Sequence, residues 1–317
     1  MFTAVKGTYE PQGYEQITMK GADQEIRILP QAGFNVWYWT YKGKEILMKP
    51  VDISIFGTKY GIPLLFPTPN RIPNGVYTWQ GKTYTMTKRG TPVIIHGLVK
   101  DEPFTVTRLE ADEEKAVCTA EIVFSEGSVL CEGWPFPCVL RVTYTLDAAG
   151  LHMAAEVENT GKEEMPFGFA IHPYFSKRGD ASKVSLTVPV TRLYEADEHL
   201  FPTGRIVPVD EAHTIDDDFH TVESLYVDNV YRGMTSDMDA LIRYDDIIVT
   251  INSDDCFRNA VVYTPHDRPG FCIEPQTCST NFINLHHQGF IDESGLMVLP
   301  AGQKFNCRID LTVTETI

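Results

Sequence analysis

Residues 139–157, VLRVTYTLDAAGLHMAAEV, decide the fold of this chain. Apolar and polar side chains alternate up to Leu146, turn residues follow at 147–150, and the alternation resumes from Leu151. A period of two is typical of a strand with one buried face, so this stretch predicts an antiparallel hairpin. The same pattern predicts hairpins over 76–86 and 241–251 and a half-buried strand over 305–313.

Longer-range patterns in the sequence favour one all-β domain. Long stretches with the 3.6-residue period of an amphipathic helix are missing, and no repeat of about 20–50 residues is visible. Many short strands joined by hairpins predict an all-β fold of antiparallel sheets packed as a large sandwich with few short helices. No linker rich in proline, glycine, serine or charge divides the sequence, so we expect residues 1–317 to form a single domain.

The composition argues against some classes of function. The chain has 317 residues, with 43 acidic against 27 basic side chains and a formal net charge of −16. Such a surface repels phosphate backbones and anionic membranes, which argues against nucleic-acid and membrane binding. The sequence has no recognisable secretory signal or membrane-spanning run, and its 7 cysteines form no disulfide framework. We therefore expect a cytoplasmic monomer or homodimer with reduced cysteines that acts on a small molecule.

Three polar residues stand out because they follow apolar or proline-rich runs. Arg71 follows such a run, and a surface position and a donor fork aimed into a pocket are equally good interpretations. His96 also closes an apolar stretch, a setting in which a histidine is more often a hydrogen-bonded core residue than a catalyst. His172 follows an apolar strand and precedes a proline, which places its imidazole at a strand end, where sites are commonly built.

Glu274 is the polar residue that packing explains least. It lies inside the apolar segment 271–277, and a buried carboxylate is costly unless it is paired or functional. Partial burial would raise its pKa towards the range of a general base. One glutamate and two histidines in apolar settings predict acid–base chemistry on an uncharged substrate. Interconversion of sugar anomers is such a reaction, and it requires no redox cofactor and no metal.

Six short segments carry a resemblance to the aldose 1-epimerase (galactose mutarotase) family, in the order in which that family has them. They are Pro69-Asn70-Arg71-Ile72, His96-Gly97, His172-Pro173-Tyr174-Phe175, Leu200-Phe201-Pro202-Thr203-Gly204, Val227-Asp228-Asn229-Val230-Tyr231 and Ile273-Glu274-Pro275. Nearly the whole chain resembles that family. The resemblance implies a supersandwich of antiparallel sheets with an open sugar cleft, and an isomerase that interconverts the anomers of a free aldohexose.

The resemblance also implies a role for each site residue. Glu274 matches the general base that acts on the C1 hydroxyl, and His172 matches the general acid that protonates the ring oxygen. Four further residues match the family's sugar-binding positions or lie beside them in the same segment: Arg71, His96, Asp228 and Asn70. Without the resemblance, Asp228 would be interpreted as a turn residue because an asparagine follows it.

Two other functions remain open at this point. The segment 96–101 is also similar to the hexose-6-phosphate epimerases, whose phosphate needs additional cations. Three candidates for that role are Lys88, Arg89 and Lys100. A carbohydrate-binding protein without catalytic activity is the third hypothesis, and the presence of both acid–base residues counts against it.

Several features of the sequence could suggest a metal site, but each of them fits a structural role better. Cys272 and Cys278 lack a CxxC spacing, and His286 and His287 would point to opposite sides of an extended chain. The three aspartates at 216–218 fit a solvated loop better than a calcium site. We therefore expect no metal.

Two aromatic groups also carry expectations. Trp37 and Trp39 occupy alternate positions, so we expect them to share one face of a strand and to serve in packing. Trp134 and Phe136 lie among prolines in a segment typical of a loop, and we expect them to form a wall of the cleft.

Overall fold

The computed structural model describes residues 1–10, 12–50, 59–216 and 220–316. Within them the strands are β1 (Thr3–Tyr9), β2 (Tyr14–Gly21), β3 (Gln24–Leu29), β4 (Asn35–Tyr41), β5 (Lys44–Glu45), β6 (Leu64–Leu65), β7 (Val76–Trp79), β8 (Lys82–Thr85), β9 (Thr87–Lys88), β10 (Thr91–Pro92), β11 (Thr105–Ala111), β12 (Lys115–Phe124), β13 (Cys138–Asp147), β14 (Gly150–Asn159), β15 (Met165–Phe167), β16 (Ala170–Ile171), β17 (Tyr174–Ser176), β18 (Ser185–Thr187), β19 (Arg192–Ala196), β20 (Pro202–Pro208), β21 (Asp228–Arg232), β22 (Ala240–Arg243), β23 (Ile247–Ser253), β24 (Asn259–Tyr263), β25 (Gly270–Gln276), β26 (Met297–Leu299) and β27 (Lys304–Glu315). The helices are α1 (Phe282–His287) and α2 (Ile291–Ser294), and 3₁₀ turns cover Pro30–Ala32, Pro73–Gly75, Val129–Cys131, Ala181–Lys183 and Glu211–His213. The prediction of an all-β chain with few short helices is confirmed.

The hairpin predicted over 139–157 lies in the middle of an eight-stranded antiparallel sheet with the order β11-β12-β13-β14-β27-β23-β22-β18. Its turn forms because the Asp147 carboxylate accepts hydrogen bonds from the backbone N–H groups of Ala149 (2.8 Å) and Gly150 (3.2 Å). Every second residue of β13 is buried, which gives the sheet its core face. The other two predicted hairpins, β7–β8 and β22–β23, and the half-buried strand β27 are confirmed as well.

A second sheet, which we call the site sheet, has the order β20-β19-β21-β24-β25-β16-β6, with β17 also paired to β25. Its strand β25 is buried along its whole length. The register places Tyr174, Cys272, Tyr263 and Asp228 directly opposite one another on β17, β25, β24 and β21. Since opposite residues of antiparallel strands share a face, these four side chains form one row across the site sheet.

The core contains the two aromatic residues that were expected in the cleft wall. Trp134 is fully buried and Phe136 nearly so. The Trp134 ring lies 5.3 Å from the ring of Tyr77 and 5.1 Å from that of Phe136. The prediction of a cleft wall is therefore wrong, because the prolines of this segment accompany a buried aromatic cluster instead of an exposed loop.

The other aromatic pair is separated by a β-bulge. In the pairing of β3 with β4, Trp39 lies opposite Ile26, while Ile28 lies opposite Val36, so β4 has one extra residue. The bulge moves Trp37 into a separate cluster, whereas Trp39 stays in the main core and donates a hydrogen bond to buried Gln24 (3.1 Å). The packing role is confirmed, but the shared face is wrong because a bulge breaks the period of two.

Three remaining expectations concern cysteines, membranes and the aspartate segment. All 7 cysteines are free thiols. In the described part of the chain, no helix combines the length and the apolar character needed to cross a membrane. Asp217 and Asp218 lie outside the described residues.

Candidate active site

Strand β25 carries the central carboxylate. Cys272, Glu274 and Gln276 lie two residues apart along the strand, so their side chains emerge on the same face of the site sheet. The Gln276 amide donates a hydrogen bond to the Glu274 carboxylate (3.3 Å). Glu274 itself is only 2% exposed. A rigid, buried strand therefore holds the carboxylate in one orientation.

His172 lies in the gap between β16 and β17, where the chain passes beside β25. Its backbone N–H donates to the Pro63 carbonyl (3.0 Å), and its ring stacks on Tyr174 with centroids 4.6 Å apart and planes at 10°. These contacts direct Nε2 of His172 to Oε1 of Glu274 at 3.2 Å. The structure therefore brings the predicted acid and the predicted base into direct contact.

His96 joins this pair from a loop with unusual backbone angles. His96 and Gly97 both have positive φ, at 63° and 68°. The His96 N–H donates to the Asn70 carbonyl (2.8 Å), and its ring centre lies 5.1 Å from that of His172. A Cβ on Gly97 would lie 2.3 Å from the Phe66 carbonyl oxygen, so only glycine fits at this position. The glycine thus allows the loop to bring His96 against His172.

Arg71 and Asp228 form the polar edge of the site. The Arg71 guanidinium lies 3.8 Å from the Asp228 carboxylate, and both side chains are partly exposed. Asn70 accepts hydrogen bonds through Oδ1 from the Arg71 backbone N–H (2.9 Å) and guanidinium (3.4 Å). Asn70 thus orients Arg71. The groove beside this pair is also lined by Leu200 and Pro202 from the fourth of the six family segments.

Burial dominates the electrostatics of the acid–base pair. It raises the pKa of Glu274 well above its usual value, and the nearby charge of Asp228 raises it further, against weaker opposite effects of Gln276 and Arg71. Burial also lowers the pKa of His172 to about 3. Each residue alone therefore favours its neutral form, and together they hold one proton between Oε1 and Nε2.

The environment also favours the neutral form of the two flanking residues, His96 and Asp228. Burial lowers the pKa of His96 well below its usual value, and the positive charges of Lys100 and Arg71 and the His172 ring add to that shift. Burial raises the pKa of Asp228, although Arg71 opposes this. Within the described residues, Nδ1 of His96 and Nδ1 of His172 are buried without a hydrogen-bond partner.

The three cations considered for a sugar phosphate are engaged elsewhere. Arg89 forms a bidentate pair with Glu102 (2.6 and 2.9 Å). Lys88 pairs with Asp101 and with Glu102 (3.2 Å). Lys100 donates to the Ile95 carbonyl (2.9 Å), and burial lowers the pKa of its ammonium. None of the three is a free cation facing the acid–base pair.

Sequence reasoning from the residues alone did not single out every residue of this site. Asp228 has the appearance of a turn residue, and only the family resemblance identified it. Cys272 and Gln276 could have been found from the period of two, since they flank Glu274 at two residues on either side. Tyr174 and Tyr263 could not, because their position beside β25 depends on the pairing of strands distant in sequence.

Known proteins resemble this chain in both sequence and structure. A family model described as Aldose 1-epimerase matches residues 16–312. The chain is 26% identical to the uncharacterized protein YihR of Escherichia coli (strain K12) over 238 residues, which cover 73% of this chain and 74% of that protein. It is 31% identical to the galactose mutarotase of Sus scrofa over 147 residues, which cover 44% of this chain and 40% of that protein.

Solved structures share the fold. A galactose mutarotase-like protein from Clostridium acetobutylicum has a TM-score of 0.84 at 21% identity, and the alignment covers 100% of this chain and 99% of that chain. The galactose 1-epimerase from Lactobacillus acidophilus NCFM has a TM-score of 0.79 at 16% identity, with 99% of each chain covered. These structures establish a galactose mutarotase-like β-sandwich. Because the family model spans nearly the whole sequence, the chain belongs to the aldose 1-epimerase family of isomerases.

Proposed function

We propose that this protein interconverts the α and β anomers of a free aldohexose, with Glu274 as general base and His172 as general acid. The observation that carries the proposal is the 3.2 Å contact between Oε1 of Glu274 and Nε2 of His172 in a buried site. The C1 hydroxyl and the ring oxygen of a cyclic aldose are bonded to the same carbon. An acid and a base that act on these two oxygens must therefore lie near each other, as these side chains do.

The proton transfers balance within this pair. The Glu274 carboxylate accepts the proton of the C1 hydroxyl, while the His172 imidazolium donates its proton to the ring oxygen as the bond from C1 to that oxygen breaks. The open-chain aldehyde rotates about C1–C2, and ring closure on the other face reverses both transfers. Burial favours this proton on Glu274, whereas the cycle needs it on His172, so the proton must move from the carboxyl to the imidazole when the sugar binds between the two groups.

The polar edge supplies the binding contacts in this proposal. Arg71 offers a planar donor fork and Asp228 an acceptor, and their 3.8 Å separation and partial exposure leave both available to sugar hydroxyls. The unpartnered Nδ1 of His96 offers a further hydrogen bond to an uncharged ligand. The engagement of Lys88, Arg89 and Lys100 supports a free sugar over a sugar phosphate.

The test compares substrates on the intact chain. We expect the protein to accelerate the polarimetric change of freshly dissolved α-D-glucose or α-D-galactose over a blank without enzyme. Anomer-resolved NMR with glucose 6-phosphate should show little acceleration. His172→Asn should lower turnover by about 100-fold or more with a smaller change in sugar affinity. Acceleration with the phosphate alone would contradict the substrate assignment, and sugar binding without acceleration would support the carbohydrate-binding alternative.

A further inference from the structure

Cys272 is a buried thiol that the acid–base mechanism does not use. It lies two residues before Glu274 on the same face of β25, and it is directly opposite Tyr174, on whose ring His172 stacks. The ligand atoms of His172, Cys272 and Glu274 all lie within 4.8 Å of one another. Among the described residues, this is the one group of three histidine, cysteine or acidic side chains brought so close together.

The spacing of these three atoms suits a tetrahedral cation. Zinc binds sulfur at about 2.3 Å and nitrogen or oxygen at about 2.0–2.2 Å, which separates neighbouring ligands by about 3.5 Å. Nε2 of His172 and Oε1 of Glu274 are already 3.2 Å apart. Since all three ligand atoms lie within 4.8 Å of one another, the thiol needs to approach the other two by at most about 1.3 Å. Three protein ligands leave the fourth tetrahedral position for a water molecule or another ligand.

The type of ligand indicates the kind of metal. A thiolate with an imidazole and a carboxylate favours zinc or another thiophilic divalent ion over magnesium or calcium, which prefer oxygen alone. The Asp228 charge acts on both Cys272 and Glu274 and adds attraction for a cation. Three positive charges oppose it: Arg71 acts on Glu274, and Arg268 and Lys177 act on Cys272. Binding must also expel the Cys272 proton, which leaves to solvent as the sulfur–metal bond forms.

We infer that His172, Cys272 and Glu274 form a binding site for a thiophilic divalent cation such as Zn²⁺, and that the bound ion inhibits the enzyme. Inhibition rests on the proposed function, because the ion occupies the nitrogen and the oxygen that carry the proton between sugar and protein. The binding site itself does not depend on the proposed function. His286, His287 and Cys278, the other candidates from the sequence, lie outside this group.

Cobalt(II) gives a readout that does not depend on activity. Added to the wild-type chain, Co²⁺ should produce a sulfur-to-cobalt charge-transfer band in the near ultraviolet, together with visible bands of a four-coordinate ion, and Zn²⁺ should displace it. Cys272→Ser removes the thiolate with little change in volume, and a thermal melt verifies that the variant is folded. Cys131→Ser is the control, since Cys131 is more exposed and would report adventitious thiol binding.

The charge-transfer band should survive in Cys131→Ser and disappear in Cys272→Ser. Inhibition of anomer interconversion by Zn²⁺ should need at least about 100-fold more metal in Cys272→Ser, given that loss of even an outer partner costs about 10–100-fold in affinity. A wild-type chain without the band, a band that persists in Cys272→Ser, or a band lost in Cys131→Ser would each overturn the site. If the band behaves as expected but Zn²⁺ leaves turnover unchanged, the inhibitory role is wrong while the site stands.

Discussion

Gly97 supports His96 in a way that a single methyl group can test. Gly97→Ala places a Cβ on a residue with φ of 68°, where a left-handed conformation costs about 1–2 kcal/mol for an L-residue. The new atom would also lie 2.3 Å from the Phe66 carbonyl oxygen, which already accepts a hydrogen bond from Leu98 (2.7 Å). Because this neighbour is backbone and cannot rotate away, the overlap adds about 1–3 kcal/mol, the usual cost of overpacking.

Gly81→Ala separates the two effects. Gly81 has φ of 77° at a hairpin turn, and a Cβ there meets nothing within 4 Å, so only the backbone strain applies. Thermal melts should show a larger loss of stability in Gly97→Ala than in Gly81→Ala, with a difference of about 2–10 °C in melting temperature. Turnover should fall only in Gly97→Ala, because the displaced loop moves His96 away from His172. Equal melting temperatures for the two variants would refute the reasoning.

Two further predictions concern binding and pH. Arg71→Lys replaces the planar fork by a point charge, so KM for the sugar should rise about 10-fold to 100-fold while kcat changes less; an equal rise in Arg192→Lys, an exposed arginine on β19, would show that Arg71 has no special role. Burial tends to lower the pKa of His152, but the hydrogen bonds and charges of Asp310 and Asp147 outweigh it and raise the pKa overall. A raised pKa stabilises the fold fully below the unfolded value of about 6.5, and this contribution is lost as the pH rises through the folded value. In urea titrations, His152→Gln should therefore destabilise the chain more at about pH 5.5 than at about pH 8.5; the opposite order would contradict the assignment.

The sequence contains most of the information about where the strands lie and little about how they pair and pack. The period of two identifies β13, β14 and β27 because each has one buried face. It fails at Trp37, since a bulge is set by the pairing of β3 with β4 and not by local preference. Prolines around Trp134 suggest a loop. The segment nevertheless lies in the core, because burial of its aromatic rings is more favourable than their exposure.

The residues of the candidate site also divide into those that a local pattern identifies and those that only strand pairing brings together. The cost of burying a carboxylate marks Glu274 from one strand alone. The position of His172 beside it depends on the pairing of β17 with β25, across about a hundred residues of chain, which no local pattern specifies. The row that Asp228 and Cys272 share with Tyr263 becomes visible only when the register of the strands is known.

The most direct test of the central claim is polarimetry with the Glu274→Gln variant beside the wild type. Burial raises the pKa of Glu274, so the ionised carboxylate is unfavourable in the fold, and the neutral amide should leave the variant at least as stable in a thermal melt. Its turnover of α-D-galactose or α-D-glucose should nevertheless fall by about 100-fold or more, because the base is gone. A folded Glu274→Gln variant that retains near wild-type acceleration would contradict the assignment of Glu274 as the general base.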